Sequence, residues 1–359
     1  MTKIALFFGG KISQHLVLVK KAAKKMGVEL DLISYNRVSF DTDSGQIIIR
    51  DHISLEKDIH KKAKDLNDYG VIFFRTTGKH WEEVNLVLDA VTENIKSGKT
   101  IIVDPLVNVG RPSDACKAWQ MLALKKAGIE VPKTIYGSLW YLYEIMSEMA
   151  SQVSFVGAQP LRYCTSDIPL QKRHITSPFL FPVILKGSGG DRGTRVYKAD
   201  NLQELEKLVR DLRKSETEDG RRYMLQEYIP NDGDYRILVL GEKVLGVMKR
   251  SSQSKSEFKN NYSAGGKVEV AELPQEIKEL SIRAAKACGL AVAGVDVAFR
   301  DNDFKKPIIW EVNKGPQFKG FMKATGIDVP AEIVKFLVNL NPSVPRDRGE
   351  HLPLKKGRL

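Results

Sequence analysis

The first hundred residues alternate short apolar, β-branched runs with amphipathic stretches, and that rhythm leaves few folds open. Ile4–Phe8 reads as a buried strand, His15–Met26 as an amphipathic helix and Leu30–Ser34 as a second strand. Val71–Arg75 and Thr100–Val103 repeat the strand signal on either side of a helical stretch, Trp81–Ser97. Strands spaced by helices predict βαβ units, hence a parallel sheet with helices on its faces. Gly9-Gly10-Lys11 follows the first strand but lacks the spacing of a dinucleotide fingerprint, so no such cofactor is assigned there.

Asp104-Pro105 and then Gly110-Arg111-Pro112-Ser113 break the rhythm and mark a boundary. Ser113 or Asp114 can cap a helix that runs to about Ala127 and stops at Gly128. Residues 152–182 mix prolines with polar and apolar residues and read as an irregular insertion. Phe181–Lys186 is an apolar strand entering a glycine-rich loop. Further strands are expected at Tyr223–Ile229, Tyr235–Leu240 and Lys243–Lys249, the last two joined by a hairpin turn at Leu240-Gly241-Glu242-Lys243. Pro274–Cys288 reads as a helix ended by Gly289. Gly294–Phe299 and Pro307–Val312 read as two apolar strands joined by the polar turn Arg300–Lys306, and Ala331–Leu340 as a last helix. The expected units are 1–110, 111–222 and 223–341, followed by a basic, disordered tail over 342–359.

Fifty-six Lys and Arg against 44 Asp and Glu give a formal charge of +12, which favours anionic partners. Most of that charge has a plain reading as solvated helix face, as in Lys20-Lys21-Ala22-Ala23-Lys24-Lys25. Nucleic acid is disfavoured, because no recognition helix or aromatic stacking platform accompanies the charge. Cys116, Cys164 and Cys288 are far apart and form no CxxC pair, which argues against a disulfide framework or zinc knuckle. The apolar run at the N-terminus is too short for a secretion signal, and no stretch is long enough to cross a bilayer. A soluble, cytoplasmic protein is expected.

Two features carry chemistry. The loop Lys186-Gly187-Ser188-Gly189-Gly190-Asp191-Arg192-Gly193-Thr194-Arg195 combines glycines, whose amides can approach phosphate oxygens, with flanking cations. Taken singly it is equally an exposed hairpin, and it is not a P-loop. The second feature is a set of oxygen donors in apolar strands: Asp296 in Gly294-Val295-Asp296-Val297, and Glu311 and Asn313 in Trp310-Glu311-Val312-Asn313. Strand alternation points Glu311 and Asn313 to one face, and an antiparallel neighbour can bring Asp296 beside them. Two carboxylates and an amide oxygen suit Mg²⁺, and burying such carboxylates unpaired is unfavourable.

Together with Gln226-Glu227-Tyr228-Ile229, Asp234-Tyr235-Arg236 and Ala324-Thr325-Gly326-Ile327-Asp328, these blocks stand in the order and near the spacing of a known family. From about Pro112 to Leu340 the chain resembles the ATP-grasp superfamily and, within it, the RimK-type ligases that add glutamate to a ribosomal protein. The resemblance implies an α/β (α+β) ATP-grasp fold behind an N-terminal parallel-sheet domain. It implies an ATP-dependent carboxylate–amine ligase working through an acyl-phosphate, with ATP and Mg²⁺ (or Mn²⁺). Its carboxylate and amine substrates would be small molecules or peptides, an acidic carrier protein or peptide among them, and homo-oligomers are common among such enzymes.

By the same resemblance, Lys117 and Lys186 hold nucleotide phosphates, and Gly190, Asp191, Arg192 and Gly193 belong to a flexible cover over them. Gln226, Glu227, Tyr228 and Ile229 form the strand that reads the adenine edge, and Asp234 contacts the nucleotide. Arg236 and Arg250 stabilise the transferring phosphoryl group, Lys259, Asn260 and Asn261 close on phosphates and metal, and Asp296, Glu311 and Asn313 ligate the metal. The chain departs from the family at Lys314-Gly315-Pro316-Gln317, where Ser-Pro-Gly is usual, and at Asn261-Tyr262-Ser263-Ala264-Gly265-Gly266, where histidine and arginine are usual. The alternative reading is an ATP-binding regulatory protein that keeps the fold without turnover.

Overall fold

The computed structural model describes residues 3–43, 46–49, 64–77, 80–104, 117–153, 180–188, 195–251 and 267–341. Its N-terminal elements are β1 (Lys3–Phe8), α1 (Gln14–Lys25), β2 (Glu29–Ser34), a small hairpin of β3 (Val38–Asp41) and β4 (Gln46–Ile49), then β5 (Val71–Phe74), α2 (Trp81–Ala90), α3 (Thr92–Lys96) and β6 (Ile101–Val103). Four of these strands form a sheet in the order β2-β1-β5-β6, with every pairing parallel. Both faces of β1 and β5 are covered, which explains their unbroken apolar runs. The helix expected over Trp81–Ser97 is two helices that break at Val91. There Thr92 turns its hydroxyl back onto the Leu88 carbonyl at 2.9 Å, a bond that competes with regular helix geometry.

The middle elements are α4 (Lys117–Lys126), β7 (Thr134–Gly137), α5 (Leu139–Val153), β8 (Val183–Gly187), β9 (Val196–Ala199), α6 (Leu202–Thr217) and β10 (Tyr223–Glu227). Their sheet, ordered β7-β10-β8-β9, is antiparallel and packs on α5 and α6. The unit boundary read at 222/223 falls on the wrong side of β10, because that strand pairs with both β7 and β8. The strand expected at Phe181 begins at Val183 instead, after Pro182, which has no N–H to give to a ladder. Most of the insertion read over 152–182, residues 154–179, lies outside the described residues, as does the tail 342–359.

The last elements are β11 (Asp234–Leu240), β12 (Lys243–Ser251), β13 (Lys267–Val270), α7 (Gln275–Ala287), β14 (Val292–Phe299), β15 (Pro307–Lys314), α8 (Lys319–Thr325) and α9 (Val329–Leu340). They form an antiparallel sheet ordered β13-β12-β11-β14-β15. All eight residues of β14 are buried, since it runs between β11 and β15 with α7 on one face. The opposite face of the sheet shares one apolar core with α8, α9, α1 and the parallel sheet. Each fully buried Leu, Ile or Phe there contributes roughly 1.5–3 kcal/mol.

Polar clamps fix the parallel sheet against this third sheet. Asp104, just past β6, accepts the backbone N–H groups of Ala291 at 2.5 Å and Val292 at 3.0 Å. Arg75, at the end of β5, donates to the carbonyls of Gly315 and Pro316 at 3.3 and 2.9 Å. The segment following Asn313 is therefore held from the N-terminal side. Among the described residues no helix is long and apolar enough to cross a membrane.

Candidate active site

A cavity of about 560 Å³ opens between the middle and third sheets, with the tip of the parallel sheet closing one end. At the other end β10 runs out through Glu227, Tyr228 and Ile229 toward β11. The Glu227 carboxylate is turned into the protein, where it accepts the Lys133 N–H at 2.8 Å and pairs with Arg300. That fixes the connecting segment, whose Tyr228 and Ile229 line the cavity. Gln226 is almost fully buried and donates Nε2 to Thr134 Oγ1 at 2.8 Å, while its Oε1 has no partner. Pro132, Ile184, Ile229 and Trp310 complete an apolar slot. A flat ring with a hydrogen-bonding edge fits such a slot.

The middle of the cavity is charged. Lys117, in the first turn of α4, lies 3.1 Å from Glu311 Oε1. Lys186 on β8 lines the same space. Burial pushes its amine down to about 8, with Glu311 acting in the opposite sense and Lys117 again lowering it. Across the sheet, cross-strand register sets Arg236 opposite Asp296, Asp296 opposite Glu311, Gly294 opposite Asn313, and Asp234 opposite Arg250.

These registers produce a buried ion network. Arg236 holds Asp296 through Nε to Oδ1 and Nη2 to Oδ2, both 2.7 Å. Arg250 pairs with Asp234 and reaches Asp296 Oδ2 at 3.1 Å. Burial works against ionising Asp296, but the two guanidinium groups overcome it and hold the carboxyl at about 2. Burial raises Asp234 to about 6, although Arg250 pulls it down. Asp296 is thus held ionised between two guanidinium groups at the centre of the sheet.

Asn313 donates Nδ2 to Asp296 Oδ2 at 3.0 Å, which leaves its amide oxygen as an acceptor. Glu311, Asp296 and Asn313 therefore form a set of hard oxygen donors with no nitrogen or sulfur ligand among them. Such a set suits Mg²⁺, which takes one or two carboxylates and completes its shell with water and phosphate oxygens. Among the described residues no cluster of three or more His, Cys, Asp or Glu side chains forms a separate metal cage.

The structure brings Lys117, Lys186, Gln226, Glu227, Tyr228, Ile229, Asp234, Arg236, Arg250, Asp296, Glu311 and Asn313 to one cavity. Gly190, Asp191, Arg192, Gly193, Lys259, Asn260 and Asn261 lie outside the described residues. Sequence reading missed Gln120 and Trp310. Gln120 follows Lys117 by one helical turn, a spacing that points both into the cavity. Trp310 escapes strand alternation because it is the extra residue of a β-bulge: Asp296 pairs with Glu311, and Val297 with Ile309. His15, Thr76 and Lys319, from the far wall, carried no motif, and Lys314 beside them begins the stretch where the chain departs from the family pattern.

The three sheets and the cleft between the last two define an ATP-grasp fold. Solved structures of the ATP-grasp ligase PsnB share it, one with its minimal precursor (TM-score 0.61, 17% identity, 95% of this chain and 99% of that one) and one with minimal precursor, Mg and ADP (TM-score 0.59, 16% identity, 94% and 98%). Residues 166–337 match the model of the RimK-like ATP-grasp domain. A probable alpha-L-glutamate ligase of Chromohalobacter salexigens is 29% identical over 80% of this chain and 82% of its own length. A probable alpha-L-glutamate ligase 2 of Pseudoalteromonas atlantica is 26% identical over 97% and 99%. Residues 166–337 thus carry a RimK-like ATP-grasp domain, and the chain is similar to glutamate ligases and other ATP-grasp ligases, which supports ATP-dependent ligation of a carboxylate to an amine.

Proposed function

We propose that the cavity binds ATP with its base between the apolar slot and the Gln226–Ile229 strand, and its phosphates toward Lys117 and Lys186. The observation that carries this reading is the single line of chemistry along one cleft: an apolar slot with an unpartnered acceptor, then two lysines, then the Asp296–Glu311–Asn313 oxygen set facing Arg236. Asp296, Glu311 and Asn313 would hold Mg²⁺, which supplies positive charge to phosphoryl oxygens. Phosphoryl transfer to a carboxylate needs positioning and charge stabilisation, not a protein nucleophile. Arg236 and Arg250, both already inside the site, supply that stabilisation. The carboxylate becomes an acyl-phosphate, an amine attacks its carbonyl carbon, and phosphate leaves. Asp234 acts through Arg250, which it holds in place.

The substrates we propose are an amino acid or peptide carboxylate and an amino-acid amine, glutamate foremost, as the names of the relatives suggest. The unit division we propose keeps 1–110 and moves the second boundary from 222/223 to about 230, so that β10 stays with the middle sheet. The test is ADP formation with Mg²⁺ across amino-acid pairs and acidic peptides, with product mass as the second readout. Amine-dependent ADP release and a product heavier by one amino-acid residue support ligation. ATP binding with no turnover on any pair would turn the reading to a regulatory protein.

A further inference from the structure

The far wall of the cavity comes from the N-terminal side and holds one group with no role so far. α1 starts at Gln14, capped by Ser13, and its first turn delivers His15 to the cavity wall. The imidazole stands edge-on to Phe318, with ring centroids 4.6 Å apart at 80°. Its Nδ1 is buried without a hydrogen-bond partner, and in the tautomer with the proton on Nδ1 the lone pair sits on Nε2, the ring nitrogen not buried in this way.

The charged groups facing this ring are Arg75, from the end of β5, and Lys319, from the start of α8. Arg75 is fixed on the Gly315 and Pro316 carbonyls, and Lys319 donates to Gln14 Oε1 at 3.0 Å. Burial, Arg75 and Lys319 all lower the pKa of His15 below its ordinary 6.5, so the ring is neutral at neutral pH. Its wall follows directly from Asn313 through Lys314, Gly315 and Pro316, and Pro316 packs at Gly294 beside Arg236. With ATP placed as proposed above, this wall stands past the phosphate end of the cavity, on the side left for an amine.

That amine arrives largely as an ammonium and has to lose a proton before it can attack. Every carboxylate lining the described cavity is already paired with a cation: Glu227 with Arg300, Asp234 with Arg250, Asp296 with Arg236, and Glu311 with Lys117. We propose that His15 Nε2 is the proton acceptor for the amine substrate, an inference that rests on the ligase reading above. The Nε2 lone pair takes one proton from R–NH₃⁺ and leaves R–NH₂. The nitrogen pair then forms the C–N bond while the bond from carbon to phosphate oxygen breaks, and the electron pair leaves with inorganic phosphate. The second N–H proton goes to that phosphate, and the imidazolium returns its proton to water.

The test compares the full-length wild type with His15→Ala on two amines, using a mixture of L-amino acids and acidic dipeptides as carboxylates. One amine is L-glutamate, mainly an ammonium at neutral pH; the other is hydroxylamine, mainly uncharged there. A base role lowers the ratio of glutamate ligation to hydroxamate formation by about tenfold or more, and added imidazole restores part of the loss. It also replaces the wild-type pH profile with one that climbs as the ammonium substrate itself loses its proton. An equal fall on both amines, with no rescue, assigns His15 to packing and overturns the proposal. If the wild type itself makes no hydroxamate, the ligase reading fails first and this proposal falls with it. Should His15→Ala not fold, His15→Phe keeps the ring contact with Phe318 and yields the same ratio.

Discussion

Arg236 and Asp296 face each other across adjacent antiparallel strands and are joined by two hydrogen bonds of 2.7 Å. The pair shares Asp296 with Arg250, whose other partner is Asp234. Breaking a buried ion network leaves the surviving charge without its counterion. Asp234→Ala is expected to lose on the order of 2–4 kcal/mol of stability, because Arg250 keeps only Asp296. Urea denaturation checks this, and a variant with the wild-type midpoint would show that the Asp234–Arg250 pair contributes nothing net.

Glu311→Gln keeps the shape of the side chain and removes a negative charge from the oxygen set. ATP turnover should fall by about 10²-fold or more. Thermal unfolding should stay near wild type, since Glu311 is partly exposed and its contact with Lys117 lines an open cavity. Normal Mg²⁺-dependent turnover in this variant would remove Glu311 from the metal site.

Gly315 has φ +61, and a Cβ there would stand 2.6 Å from the Arg75 carbonyl oxygen. Gly315→Ala must therefore adopt a left-handed backbone and also push the parallel sheet away from β15. The expected loss is about 1–3 kcal/mol, read from the denaturation midpoint. Activity should fall too, because Arg75 anchors Gly315 and Pro316 just beyond Asn313. Wild-type stability would show that the contact yields freely.

Asp104 is fully buried, and burial raises its carboxyl to about 6. The folded state then holds a proton that the unfolded chain gives up near the ordinary value of 3.8. Stability from this group is complete below that ordinary value and is lost as pH climbs through about 6. Asp104→Asn, which tolerates the positive φ at this position, should remove the dependence. Between about pH 5 and 7.5 the wild type should lose on the order of 1–2 kcal/mol relative to the variant. Parallel stability curves for the two proteins would contradict the raised pKa.

The legible parts of this fold were those written in local pattern. The apolar runs of β1, β5 and β14 declare strands by themselves, and the alternation of Glu311 with Asn313 gives their shared face without knowledge of the partner strand. Pro274 and Gly289 bracket α7 as start and stop signals. α5 and α6 are not among the expected elements, although Asn201 caps α6 by accepting the Glu204 N–H. β7 has only four half-buried or exposed residues and becomes a strand through its pairing with β10.

Other site features were hidden because they depend on register between distant segments. Nothing near Asp234 in sequence announces Arg250 as its partner, and nothing near His15 announces Phe318. Resemblance to a family supplied residue roles that no local rule provides.

The unpaired Trp310 in β15 has a wider effect. It turns two consecutive side chains, an aromatic and a carboxylate, into the same chamber where ordinary pleating would have sent them to opposite sides. One peptide unit thus acts as a ruler between the greasy end of the chamber and its charged middle. Deleting a single residue there would not merely shorten a strand; it would rotate one of the two fixtures out of the room.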